Sequence, residues 1–147
     1  MVNLVKNDLT ILEKMKLRTE EYIFYQGERF QVEFYFTEKG HIPAKELLET
    51  IKQKIVIKLA AFVKLIADEG TLYDEQKFRI VDKKEKIYEF KPSGFRFFNF
   101  FFAGKKIIIT NGHAKQKKKV DKTELKRAIS YKKDYLRRVS GGEYYGK

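Results

Sequence analysis

The chain contains no cysteine, so neither a disulfide nor a thiolate metal site is open to it, and a reducing compartment fits that absence. Its two histidines, His41 and His113, are too few to build an ordinary zinc site without thiols. No apolar run is long enough to cross a bilayer. Near the start, Lys6, Asp8, Glu13, Lys14 and Lys16 bring more charge than a secretory signal tolerates. A soluble cytoplasmic protein with no membrane partner is expected. There is no glycine-rich phosphate loop and no serine-hydrolase elbow. Nor does any segment repeat, so the length argues for a single domain.

Positive charge, by contrast, is abundant and unevenly placed. Residues 1–70 hold 11 Lys/Arg and 11 Asp/Glu, whereas residues 71–147 hold 21 Lys/Arg and nine Asp/Glu. The whole net charge of +12 therefore belongs to the second half. Lysine-rich faces can serve solubility alone. Segregation to one half points instead to an anionic partner, of which nucleic acid is the commonest.

The stretch 95–119 organises the rest. Phe95-Arg96-Phe97-Phe98-Asn99-Phe100-Phe101-Phe102 and Lys105-Lys106-Ile107-Ile108-Ile109-Thr110 flank Ala103-Gly104. Aromatic and β-branched residues around such a pair predict two strands joined by a tight turn. Both strands are apolar on both faces, so both faces are expected to be covered. The second strand is expected to end in a loop, Asn111-Gly112-His113-Ala114-Lys115, followed by Lys117-Lys118-Lys119.

Upstream, residues 1–28 read as an N-terminal extension. Leu9, Leu12, Met15 and Leu17 are loosely spaced for a helix, either packed on the domain or a partner-binding arm, and Tyr22–Tyr25 for a short strand or turn. Phe30, Val32, Phe34 and Phe36 alternate with polar residues, the period of a half-buried strand. Pro43 suits a first helical position. Leu47, Leu48 and Ile51, then Ile55, Leu59, Phe62, Val63 and Ile66, form one apolar face up to Gly70. One bent helix or two helices with a break near Ile51–Lys54 fit equally. Lys77–Val81 and Ile87–Lys91 predict two more strands about a polar turn. Asp121 and Glu124 predict a capped last helix, apolar at Leu125, Ala128, Ile129, Tyr135, Leu136 and Val139 and basic opposite. Gly141-Gly142 ends that helix, and the tail over 141–147 is expected to be frayed from Glu143. The expected fold is α+β: a twisted antiparallel sheet packed against an N-terminal helical pair, with a basic C-terminal helix.

In this order, Tyr88-Glu89-Phe90-Lys91, Gly94-Phe95-Arg96-Phe97-Phe98, the Asn-Gly-His-Ala-Lys segment and a Lys-rich helix ending Lys133-Asp134-Tyr135-Leu136 carry a family likeness. Over about Phe30–Arg138, within a domain of 29–140, the chain resembles the HigB-type, phage-derived branch of the RelE toxin superfamily. The resemblance implies a toxin of a toxin–antitoxin pair, a metal-independent endoribonuclease needing no cofactor. Such toxins cleave messenger RNA in the ribosome by attack of a 2′-hydroxyl on the neighbouring phosphate. The partners it implies are the ribosome, the message and a helix-turn-helix antitoxin.

That chemistry needs a base, an acid and cations around a crowded phosphorane. Arg96 matches the family's strand arginine, and its guanidinium can hold two phosphate oxygens; the other reading is an arginine paired with a carboxylate in the sheet. Lys91 stands where the family is often basic, or is a solvated strand-end lysine. Lys115 fits the family's loop lysine. His113 can move a proton near neutral pH, or is a structural histidine. Lys117, Lys118 and Lys119 are expected to anchor RNA. The strand lysine pair of some superfamily members is missing, Ile87 and Glu89 standing near those positions. Glu89 reads as a base or as a salt-bridged structural residue. The alternative function is a non-catalytic basic nucleic-acid-binding module, with some Phe residues as stacking platforms.

Overall fold

A computed structural model describes residues 21–71, 74–116 and 118–145. The expected helix at Leu9–Leu17 lies outside them, and the short strand or turn expected at Tyr22–Tyr25 is a strand, Ile23–Gln26. The element order is β1 (Ile23–Gln26), β2 (Gln31–Phe34), α1 (Pro43–Leu48), α2 (Gln53–Glu69), β3 (Phe78–Asp82), β4 (Ile87–Phe90), β5 (Phe95–Phe102), β6 (Lys106–Ala114) and α3 (Lys122–Ser140). The fold is α+β, with a six-stranded sheet in the order β1-β2-β6-β5-β4-β3.

The meander β3-β4-β5-β6 is antiparallel, as its short connections require. The sheet as a whole is mixed, because β2 lies parallel to β6 with Val32 beside Ile107. The intervening α1 and α2 provide the long crossover that a parallel pair needs. The half-buried strand expected from residue 30 is therefore an interior one. Glu33, on its polar side, is fully buried.

Strand β5 divides the core. Phe97 packs with Phe34, Leu59, Val63, Ile107 and Ile109 under α1 and α2. Phe98 and Phe100 pack with Ile108, Ala128 and Tyr135 under α3. Both faces are covered, as the apolar pattern demands. Between β5 and β6 the chain turns through Ala103 (φ 56°) and Gly104 (φ 72°), two successive positive φ values that match the twist of the flanking strands. The break between helices falls after Leu48, and α2 ends at Gly70 in the left-handed region (φ 87°). The Asp121 carboxylate accepts from Glu124 N–H at 3.0 Å and caps α3.

The tail is a correction: Tyr144 is buried against Phe36 and Tyr135 rather than frayed. Its hydroxyl accepts the Phe36 N–H at 3.0 Å. Beside it, Arg138 Nη1 donates to Phe36 O at 2.7 Å and to Asp134 at 2.9 Å, and Tyr35 donates to the same carboxylate. Burial pushes the Asp134 carboxyl up, but hydrogen bonds from Tyr35, Arg138 and Arg137 outweigh it and hold it below its ordinary value. A carboxyl lowered in the fold stabilises above its unfolded pKa, and that stability is lost as pH falls through the folded value. Asp134→Asn is expected to cost about 2 kcal/mol at neutral pH. The gap from wild type should narrow below about pH 4. Urea melts at pH 7 and pH 3 check this, and an equal gap at both would contradict it.

Candidate active site

A group of polar side chains, Arg96, Asn111 and His113 among them, lies on the α3 face at the end where β5 begins and β6 finishes. A register shift produces this. Phe98 pairs with Asn111 but Asn99 with Ile109, so Thr110 is an extra residue in β6. Beyond that bulge the alternation is inverted. His113 consequently shares the α3 face with Ile108, and its ring lies 5.6 Å from that of Phe98. The register sets His113 directly across from Arg96. Strand β6 extends to Ala114, so His113 is a strand residue and not the loop residue expected.

One row further into the sheet, Arg79 pairs with Glu89 and Glu89 with Phe98. Glu89 is only 1% exposed. Its Oε2 receives Arg79 Nε at 2.7 Å, while Arg96 Nε stays 3.9 Å away, too far for a hydrogen bond. Two guanidinium groups thus face one carboxylate, and the trio keeps a positive charge. Arg96 Nη1 donates to the carbonyls of Ser93 (2.9 Å) and Phe95 (2.7 Å), which fixes the guanidinium at the mouth of the sheet. Burial lowers its pKa, offset by Glu89 and reinforced by Arg79. Arg96 is therefore only loosely paired in the sheet.

The register Phe90–Phe97, carried one step on, brings Lys91 beside Arg96. Its Nζ donates to Glu75 O at 3.1 Å. Burial first, then the charges of Arg79 and Arg96, push the Lys91 ammonium below the ordinary lysine value. His113 Nδ1 lies 3.1 Å from Ala114 O. A carbonyl only accepts, so Nδ1 is the donor in this contact, and in a neutral imidazole that assignment leaves the lone pair on Nε2. Among the described residues, neither His113 Nε2 nor Arg96 Nε, both buried, has a hydrogen-bond partner.

Lys115 belongs to the rim. Its N–H donates to Gly94 O at 2.7 Å and its Nζ to Lys118 O at 2.9 Å, which closes the loop after β6. That loop, His113 and the first turn of α3 line a pocket of about 420 Å³, within the size range of small-ligand sites. Lys119 lines it and Lys118 is exposed nearby; Lys117 lies outside the described residues. Asn111 Nδ2 donates to Glu124 O and Oε1, each at 3.2 Å, and so pins the start of α3 to the site. Among the described residues no group of His, Asp and Glu is arranged to hold a metal ion, and no helix is long and apolar enough to cross a membrane.

Arg79 and Asn111 escaped the sequence reading. The signal for Arg79 was the β3–β4 hairpin register, which puts it opposite Glu89; for Asn111 there was none, because the bulge is invisible in the pattern.

Gly112 keeps the pair in place. A Cβ there would sit 2.5 Å from the buried Phe97 ring. Gly112→Ala is expected to destabilise the fold by about 1–3 kcal/mol and to move His113 away from Arg96. Denaturant melts, with the shifts of the His113 ring protons, check both effects; an unchanged spectrum would contradict them.

No curated protein matches the chain. The family model described as phage-derived protein Gp49-like matches residues 46–133, from within α1 to the middle of α3, and spans every strand of the site. With more than half of its length covered, the chain belongs to the Gp49-like family of phage-derived, toxin-like proteins, within the RelE/ParE-like toxin superfamily.

Proposed function

We propose that the protein is a HigB-type toxin that cleaves messenger RNA on the ribosome without a metal. The observation that supports this best is the cross-strand pair Arg96–His113, in which Arg96 Nε and His113 Nε2 have no hydrogen-bond partner among the described residues. A buried polar atom without a partner is rare and calls for one. An RNA phosphate with its 2′-hydroxyl supplies an acceptor for Arg96 and a proton for His113.

In this reading the 2′-oxygen attacks the adjacent phosphorus, and its proton passes to His113 Nε2. Arg96 stabilises the charge that builds on the phosphorane oxygens. The bond from phosphorus to the 5′-oxygen then breaks, leaving a 2′,3′-cyclic phosphate. Lys91, whose lowered pKa makes it a readier donor, gives the 5′-oxygen its proton. Lys115 holds the rim, and Lys117, Lys118 and Lys119 anchor the backbone of the RNA.

The outer face of α3 extends this anchoring surface. Lys122, Lys126 and Lys133 are exposed and have no carboxylate partner among the described residues. Among the described residues every Phe and Tyr side chain is at least half-buried and most belong to the two core clusters, which favours a core role over stacking for most of them. A helix-turn-helix antitoxin is the expected protein partner, covering the basic face; its affinity should fall with salt to the extent that charge dominates.

Primer extension on a ribosome-bound message tests the reading. Arg96→Ala is expected to lose on the order of a hundredfold or more in cleavage, with an unchanged circular dichroism spectrum. Arg96→Lys should restore only part, because an ammonium cannot reproduce the bidentate fork. His113→Ala should also reduce cleavage. Neutralising Lys117, Lys118 and Lys119 should instead weaken RNA binding and flatten its salt dependence, by about 0.7–0.9 in log–log slope for each phosphate no longer neutralised. Full cleavage by folded Arg96→Ala removes the assignment. Tight RNA binding without cleavage by the wild type favours the non-catalytic module.

A further inference from the structure

The reading of Arg96 as the phosphate clamp leaves a question that the geometry answers: why the buried Glu89 does not neutralise it. Glu89 is held on the α3 face with its carboxylate out of water, where an ionised carboxylate must be paired. Both arginines approach the same oxygen, Oε2, but Arg79 Nε reaches 2.7 Å and Arg96 Nε stops at 3.9 Å. A movement of about 1 Å would bring Arg96 into hydrogen-bond range. The Arg79 side chain is 34% exposed and that of Arg96 only 12%. On desolvation alone, the more buried arginine would make the tighter pair. The exposed one makes it instead.

We propose that Arg79 is a positioning residue that occupies Glu89 and so keeps the Arg96 guanidinium available for phosphate. The proposal rests on the reading of Arg96 above and adds a residue to it. Arg79 acts in two ways. It satisfies the buried carboxylate that competes with RNA for Arg96, and its own charge opposes closure of Arg96 onto the same oxygen. The Ser93 and Phe95 carbonyls hold Arg96 Nη1 at the strand entrance meanwhile, so Arg96 keeps its place without Glu89. Without Arg79, a buried carboxylate with no tight partner would draw Arg96 inward.

The test compares Arg79→Gln, Arg79→Lys and the double variant Arg79→Gln with Glu89→Gln, each checked for folding by circular dichroism. Arg79→Gln is expected to lose tenfold or more in cleavage, mainly in kcat. Arg79→Lys retains most activity, because an ammonium can still occupy Glu89. The double variant recovers to within about threefold of wild type, since no carboxylate is left to capture Arg96. The Arg96 Nε–H resonance should move to lower field in Arg79→Gln and return in the double variant. Binding of a 2′-O-methyl RNA oligonucleotide should fall and recover in the same order. The last two readouts need no cleavage, so they decide the role of Arg79 even if the wild type cuts nothing and the endonuclease reading fails. Should Arg79→Gln not fold, Arg79→Lys and the double variant carry the test, because neither leaves the Glu89 position as a buried carboxylate without a partner. Full cleavage by Arg79→Gln overturns the proposal. So does a double variant as defective as the single one, the result expected if Arg79 touched RNA or Glu89 were the base. An Arg96 resonance that never moves overturns it as well.

Discussion

Strand β5 has to be dry on both sides. Phe97, Phe98 and Phe100 have no exposed surface, and fully burying each such ring contributes about 1.5–3 kcal/mol. A strand of that kind is stable only inside a sheet and between two layers. The helical pair takes one face and α3 the other. The parallel pairing of β2 with β6 follows from the same need, because the chain must pass through α1 and α2 before it completes the sheet. Strand β2 then widens the sheet on the α3 side, where Tyr35 meets Asp134 and Arg138 closes over Phe36.

Chemistry in such a fold is confined to the ends of the strands, where the layers thin out. Two buried carboxylates show the contrast. Glu33 is enclosed by Lys106 at 3.1 Å, Gln31 at 2.6 Å and the Tyr145 hydroxyl at 2.7 Å, itself bonded to Tyr135. That network is complete and ties the tail to the core. Around Glu89 the network is incomplete. Arg79 is satisfied, but Arg96 Nε and His113 Nε2 are buried and, among the described residues, unbonded. A group left open in a low-dielectric setting is costly when empty and strong when filled. The first carboxylate therefore reads as architecture and the second as the edge of a site.

The cations around that edge are graded by burial. Arg96 and Lys91 are partly desolvated, which sharpens their interaction with a phosphate that enters. Lys118, Lys119, Lys122 and Lys126 stand in water, where they act on encounter and on the salt dependence of binding. Asn111 joins the two groups by fastening the first turn of α3 to the strand that carries His113.

Local pattern was enough for much of this. Alternation marked β2, runs of aromatic and β-branched residues marked β5 and β6, three- and four-residue spacing marked α2 and α3, and Pro43, Gly70 and Asp121 marked helix ends, because these signals depend on a residue and its near neighbours. The α+β class, the cover on both faces of β5, and Arg96 as a charge inside an apolar strand were legible for the same reason. What lay beyond reach depended on pairing between distant segments. The parallel partner of β6 was one such feature, and the burial of Glu33 and Tyr144 another. The site itself was a third. His113 looked like a loop residue, and one bulge at Thr110 turned it onto the face of Arg96. Glu89 looked like a single uncertain carboxylate until the sheet register placed an arginine on either side of it. Residue types and spacing set which groups could do chemistry; only the register of four strands decided which of them meet, because side chains from opposite ends of a sequence share a face only through the hydrogen bonds between strands.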